Sequence, residues 1–173
     1  MILQRIILGL LAIAPMSGYD LKRRFDSAVN YFWSADKAQI YRSLAALVGD
    51  GLVAVEKVPG RAGPDRQEHR ITPEGRRALR EWLTSELDRQ PERDAFLARV
   101  FFAGDLDPDE LATLLARQRA ETRALLASLE AIREATPAPA DRAARLRLAT
   151  LERGLRHVHT ELEWLDDLEK SLR

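Results

Sequence analysis

The 173-residue chain is 46% hydrophobic and 31% charged, enough apolar material for one ordinary compact domain or two small ones. Its 27 basic and 27 acidic residues cancel, which excludes a polyanion binder acting through bulk positive charge. The lack of cysteine excludes disulfides, thiolate metal sites and a cysteine nucleophile, and fits a reducing, cytoplasmic setting.

The charges are unevenly spread. Residues 1–80 carry 13 Lys/Arg against 8 Asp/Glu, whereas residues 81–173 carry 14 against 19, so only the front half suits an anionic partner. The opening run at 6–14, with Ala12-Ile13-Ala14, has the length of a signal peptide. Gln4 and Arg5 interrupt it, it is too short to span a bilayer, and a helix cap follows at once, so it reads as a core helix ended by Pro15.

Ser17-Gly18-Tyr19-Asp20 has the capping pattern for a short helix reaching about Val29, with Lys22, Arg23 and Arg24 on its wet side. An aromatic connector at 30–33 leads to Ser34 or Asp36, either able to cap a third helix through Val48. Ile40, Leu44, Leu47 and Val48 form its inward stripe, leaving Gln39, Arg42 and Ala46 outside. After Asp50-Gly51, residues 52–58 alternate like a strand with Val53 and Val55 on one side, and 67–71 return as its hairpin partner. The loop between them holds two glycines, two prolines, Arg61 and Arg66. Thr72-Pro73-Glu74 opens a fourth helix to about Arg89, containing Trp82.

Pro91 marks a boundary, giving domains 1–90 and 91–173. The second is read as helical: a short aromatic helix at 95–103, a long one from Asp107-Pro108-Asp109-Glu110 to about Ala135, and a last one at about 140–172. Leu148, Leu151, Leu155, Val158, Leu162 and Leu165 space a coiled-coil seam that requires a partner helix. We assign that partner to a second copy of the chain.

The order helix, helix, helix, strand, strand, helix predicts a mainly α fold with a small β-hairpin: an N-terminal winged helix-turn-helix followed by a C-terminal helical dimerisation domain. The third helix matches a DNA major groove in width, so Lys37, Gln39, Arg42 and Ser43 are expected to meet bases or phosphates. Tyr19, Lys22 and Tyr41 are expected near phosphate, and Arg61 and Arg66 at the wing tip on phosphate or in the minor groove. Taken singly, each of these is equally an ordinary surface residue; their joint placement is the signal.

Three stretches carry a family resemblance: Ser17-Gly18-Tyr19-Asp20-Leu21; Gln39-Ile40-Tyr41 with Leu44, Leu47 and Gly51-Leu52-Val53; and Ile71-Thr72-Pro73-Glu74-Gly75. Together they resemble, in order and spacing, the successive signatures of PadR-type transcriptional regulators. The back half is similar, through Phe96-Leu97, Phe101-Phe102, Gly154 and Trp164-Leu165, to the helical C-terminal domain of the longer members. The resemblance implies a homodimeric repressor bound to an inverted-repeat operator in double-stranded DNA and released by a small aromatic or phenolic effector. The sequence departs from the family pattern at Arg42, where proline is usual, and at His69, where tyrosine is usual.

Catalysis has little support. His157 and His159 point to different sides of a helix, His69 stands apart, Asp166 and Asp167 diverge, and no phosphate loop or nucleophile elbow is present. No metal or cofactor is expected, and no membrane partner. For an aromatic effector, Trp33, Trp82 and Phe101 offer walls and Arg156 or His159 a partner for an acid group. The alternative from another class is a helical scaffold or small-molecule-binding protein whose winged helix contacts protein instead of DNA.

Overall fold

A computed structural model describes residues 1–59, 66–87 and 93–172. In chain order it has α1 (Ile2–Ile13), β1 (Met16–Ser17), α2 (Gly18–Ala28), α3 (Lys37–Gly49), β2 (Val53–Val58), β3 (Arg66–Ile71), α4 (Pro73–Thr84), α5 (Ala95–Phe101), a 3-10 turn (Ala103–Asp105), α6 (Pro108–Ala135) and α7 (Arg142–Ser171). The chain is mainly helical with one small antiparallel sheet, and it divides into two compact units, Met1–Asp88 and Arg89–Arg173.

In the first unit, α1 buries Ile7, Leu8 and Leu11 against Leu21 and Phe25 of α2 and Ile40, Leu44 and Leu47 of α3. The apolar stripes of α2 and α3 therefore point at α1, and full burial of each large side chain contributes about 1.5–3 kcal/mol. The first helix stops at Ala14, extended ahead of Pro15. Asp36, not Ser34, caps α3. At the other end of α3, Gly51 takes φ +70, its N–H donating to Val48 and that of Leu52 to Leu47. That pattern closes the helix through the one backbone conformation glycine adopts freely.

The hairpin has Val53 opposite Ile71 and Val58 opposite Arg66. It is joined by a strand with no forewarning in the sequence: β1 pairs Met16 with His69 and Ser17 with Glu68, giving the order β1-β3-β2. Val53 is buried as expected, but Val55 is exposed. The two share a face, yet the far end of the hairpin runs beyond the core. Thr72 clamps this wing to the end of α3, donating its hydroxyl to Gly51 O at 2.9 Å while accepting from Gly75 N at 3.0 Å. The fourth helix ends at Thr84 instead of near Arg89, the N–H of Ser85 turning back to Trp82 O.

In the second unit, Asp107 and Glu110 form the expected capping box of α6, and Asp141 caps α7. These two helices pack as a hairpin. Buried residues recur one heptad apart on both: Leu115, Thr122 and Leu129 on α6, and Leu151, Val158 and Leu165 on α7. The two helices are further tied by a bond from Gln118 to Glu161 (3.3 Å) and by the pairing of Arg119 with Asp166 and with Glu169 (2.9 Å). Both carboxylates push the Arg119 guanidinium pKa above its ordinary value, Glu169 most. Phe96 of α5 meets Trp164 of α7 edge to face at 6.2 Å.

Candidate nucleic-acid interface

The first unit presents α2 and α3 as a helix-turn-helix. Ser17 accepts from Asp20 N at 3.1 Å and donates its hydroxyl to Asp20 Oδ2 at 2.7 Å, so two residues of the first signature build the start of α2. The fit at Gly18 is tight: a Cβ would lie 3.0 Å from Tyr41 Cε1 on α3, so a larger residue there requires the ring to shift by a few tenths of an ångström. Leu21 is buried, and Tyr19 is 66% exposed with the Arg23 guanidinium 5.9 Å from its ring centre.

On α3 the predicted contact residues separate. Arg42 is exposed, and among the described residues no hydrogen bond or ion pair engages it. Tyr41 is 39% exposed, with Lys37 Nζ 5.8 Å from its ring centre. Gln39 is exposed but occupied, because its Oε1 accepts from Asp36 N at 2.9 Å while Asp36 Oδ1 accepts from Gln39 N at 2.7 Å. This reciprocal cap occupies the Gln39 carbonyl oxygen and leaves only its amide NH2 to meet a base or phosphate. Ser43 is a correction. It lies inward with Ile40, Leu44 and Leu47 and is buried, since i, i+3, i+4 and i+7 form one helix face.

Of the other predicted contacts, Lys22 is ion-paired with Asp26 one turn on, and Arg66 lies at the start of β3, half-exposed, 3.4 Å from Glu68. Arg61 lies outside the described residues. His69, at the centre of the sheet, has a buried Nδ1 without a hydrogen-bond partner. Burial holds its pKa below the ordinary histidine range, partly offset by the Met16 backbone.

The seam expectation needs revision. Leu151, Val158 and Leu165 are buried inside the chain's own α6–α7 hairpin, so the partner the heptads require is first of all α6. Leu148, Leu155 and Leu162 are only half-buried. The predicted effector residues are divided between the units. Trp33 is packed against the first core, and Trp82 on α4 is partly exposed. In the second unit Phe101 is 82% exposed, stacked edge-on with Phe102, while Arg156 and His159 are exposed on α7. An open groove in the same unit, not foreseen from the sequence, is lined by Phe102, Leu106 and Leu114 together with Arg99 and Glu110; Phe101, Arg156 and His159 are not among its lining residues. Its apolar residues look like ordinary core positions in a linear sequence. No described helix is long and apolar enough to cross a membrane.

These features match known proteins along the whole chain. The transcriptional regulator PadR-like family matches residues 7–81, and the virulence activator alpha C-terminal family matches 92–173. The probable transcriptional regulator Rv1176c of Mycobacterium tuberculosis is 31% identical over 186 residues, spanning 100% of this chain and 98% of that protein. The chain belongs to the PadR family of transcriptional regulators. Among structures similar to this PadR-family chain, the Vibrio cholerae virulence activator AphA is 31% identical with a TM-score of 0.76, covering 98% of this chain and 97% of its own. Bacillus subtilis PadR in complex with operator DNA has a TM-score of 0.86 at 24% identity, covering 100% of both chains. The same protein with p-coumaric acid gives 0.78 at 24%, covering 97% and 96%. The family is one of regulators and not of enzymes.

Proposed function

We propose that this PadR-family regulator binds double-stranded DNA as a homodimer, laying α3 in a major groove and the wing beside it, and acts as a repressor released by a small aromatic effector. One observation carries the reading most: α3 turns Tyr41 and Arg42, which no hydrogen bond or ion pair engages among the described residues, outward in the half of the chain with excess positive charge. The similarly folded Bacillus subtilis PadR, solved in complex with operator DNA, supports DNA as the partner. Within this reading, residues 1–90 are the DNA-binding domain, with Tyr19, Lys22 and Lys37 near phosphate, and 91–173 hold the pairing and effector functions. Two copies joined through the second domain set their recognition helices about 34 Å apart, one helical turn of the duplex.

Leu148, Leu155 and Leu162, which α6 leaves half-covered, together with the exposed Phe101 and Phe102, are the apolar surface offered to the second copy. The effector class is motivated by accessible aromatic side chains with a nearby cation, as at Phe102 and Arg99, and by the p-coumaric acid bound to Bacillus subtilis PadR. An effector favouring a dimer of wrong spacing lowers DNA affinity, and DNA lowers effector affinity by the same factor. Titrating fluorescent duplex from the gene's own upstream region across a salt series tests the reading. Binding that weakens steeply with salt is expected; salt-insensitive or absent binding, with aromatic ligands still quenching tryptophan, favours the scaffold instead.

A further inference from the structure

Resting on the DNA-binding reading and deepening it, we infer that Arg42 is the residue that selects a base, and that the base is guanine. The outward face of α3 carries three polar side chains besides the ring of Tyr41, and of these Gln39 is committed to the cap. Gln39 has its carbonyl oxygen in the cap at Asp36, so it lacks the acceptor of the acceptor-and-donor pair that reads adenine. Lys37 lies against the Tyr41 ring. Arg42, on the second turn, has no such engagement among the described residues.

Its surroundings are equally specific. Three of its four neighbours along the helix face, Ala38, Ala45 and Ala46 at i−4, i+3 and i+4, are exposed alanines, and the fourth, at i−3, is the capping Gln39, so no large side chain crowds the guanidinium toward the C-terminal side. Two parallel N–H donors on a planar fork match O6 and N7 of guanine, the one base with two acceptors side by side on the major-groove edge.

Selection from a random duplex library, with the full chain and with Arg42→Ala, tests the assignment. The unaltered chain is expected to enrich one guanine per half-site, and replacing that guanine by 7-deazaguanine to weaken binding about ten-fold or more. Arg42→Ala, on an exposed face with a strong helix former, is expected to keep its circular dichroism and lose that single preference. If Arg42→Ala keeps the preference, or weakens every duplex equally with a salt slope smaller by about one, Arg42 touches phosphate or nothing. The inference then fails while DNA binding stands. If the unaltered chain retains no duplex at all, both fall.

Discussion

The ring of Tyr41 occupies the space a side chain at residue 18 would need, its Cε1 3.0 Å from the position of a Gly18 Cβ. The first signature stretch thus serves the third helix: its glycine seats a tyrosine that belongs to the candidate DNA face. Gly18→Val is expected to displace that ring and to lower duplex affinity by about three- to ten-fold, the value of roughly one hydrogen bond. Tyr41→Phe is expected to cost a similar factor without changing the preferred sequence, since phosphate contacts position and do not specify. Anisotropy titrations on specific and scrambled duplexes distinguish the two effects.

Gln39 is assigned to folding. Gln39→Ala removes one arm of the reciprocal cap with Asp36 and is expected to cost about 0.5–1 kcal/mol, or a Tm lower by about 2–8 °C. Gln39→Glu keeps the reach to the Asp36 amide and is expected to retain most of that stability. Equal melting temperatures for all three proteins contradict the assignment.

Gly75 is the tightest of the described glycines. A Cβ there would lie 2.2 Å from Leu52 O and 2.8 Å from Ile71 Cγ1, and the first neighbour is backbone that cannot swing away. Gly75→Ala is expected to separate α4 from the turn after α3 and to cost about 2 kcal/mol or more despite the better helix propensity of alanine. Urea denaturation measures this directly, and an unchanged midpoint rejects the close approach.

His69 gives the sheet a pH dependence. Burial disfavours the charged ring, so the folded chain takes up this proton at lower pH than the unfolded chain, whose value lies near 6.5. Between the two values the unfolded state binds more protons, and stability falls as pH drops. The contribution is complete above about 6.5 and is lost on acidification through the folded-state value. His69→Gln is expected to lose less stability than the unaltered chain between pH 7.5 and 5; parallel losses contradict the account.

How far the sequence reveals these features depends on how local each one is. The stripe of Ile40, Leu44 and Leu47, the Thr72-Pro73 start and the Asp107 capping box are set by neighbours within a turn, and each is legible. Met16–Ser17 is too short to show alternation, so its pairing with Glu68 and His69 emerges only when the chain has folded back. Gln39 is ambiguous for another reason, since the third helical position is both a capping position and an outward one. Ser43 is misread because a small hydroxyl hides easily on the inward stripe. The heptads of α7 announce a partner helix but carry no mark of which chain supplies it, and α6 takes the first claim.

That division predicts two classes of seam variant. Leu165→Ala empties a fully buried site in the α6–α7 hairpin and is expected to cost about 2–5 kcal/mol in folding. Leu162→Arg changes a half-buried position and is expected to reduce crosslinked dimer while leaving helical content near normal. Normal crosslinking by Leu162→Arg removes that side of α7 from the subunit contact.

In the proposed dimer, two paired chains present α3 to successive major grooves. Recovery and sequencing of genomic fragments held by the purified protein is the decisive measurement. The account predicts an inverted repeat whose half-sites are centred about 10–10.5 base pairs apart, or a multiple of that. Fragments without repeated half-sites, or none retained at low salt, would contradict it.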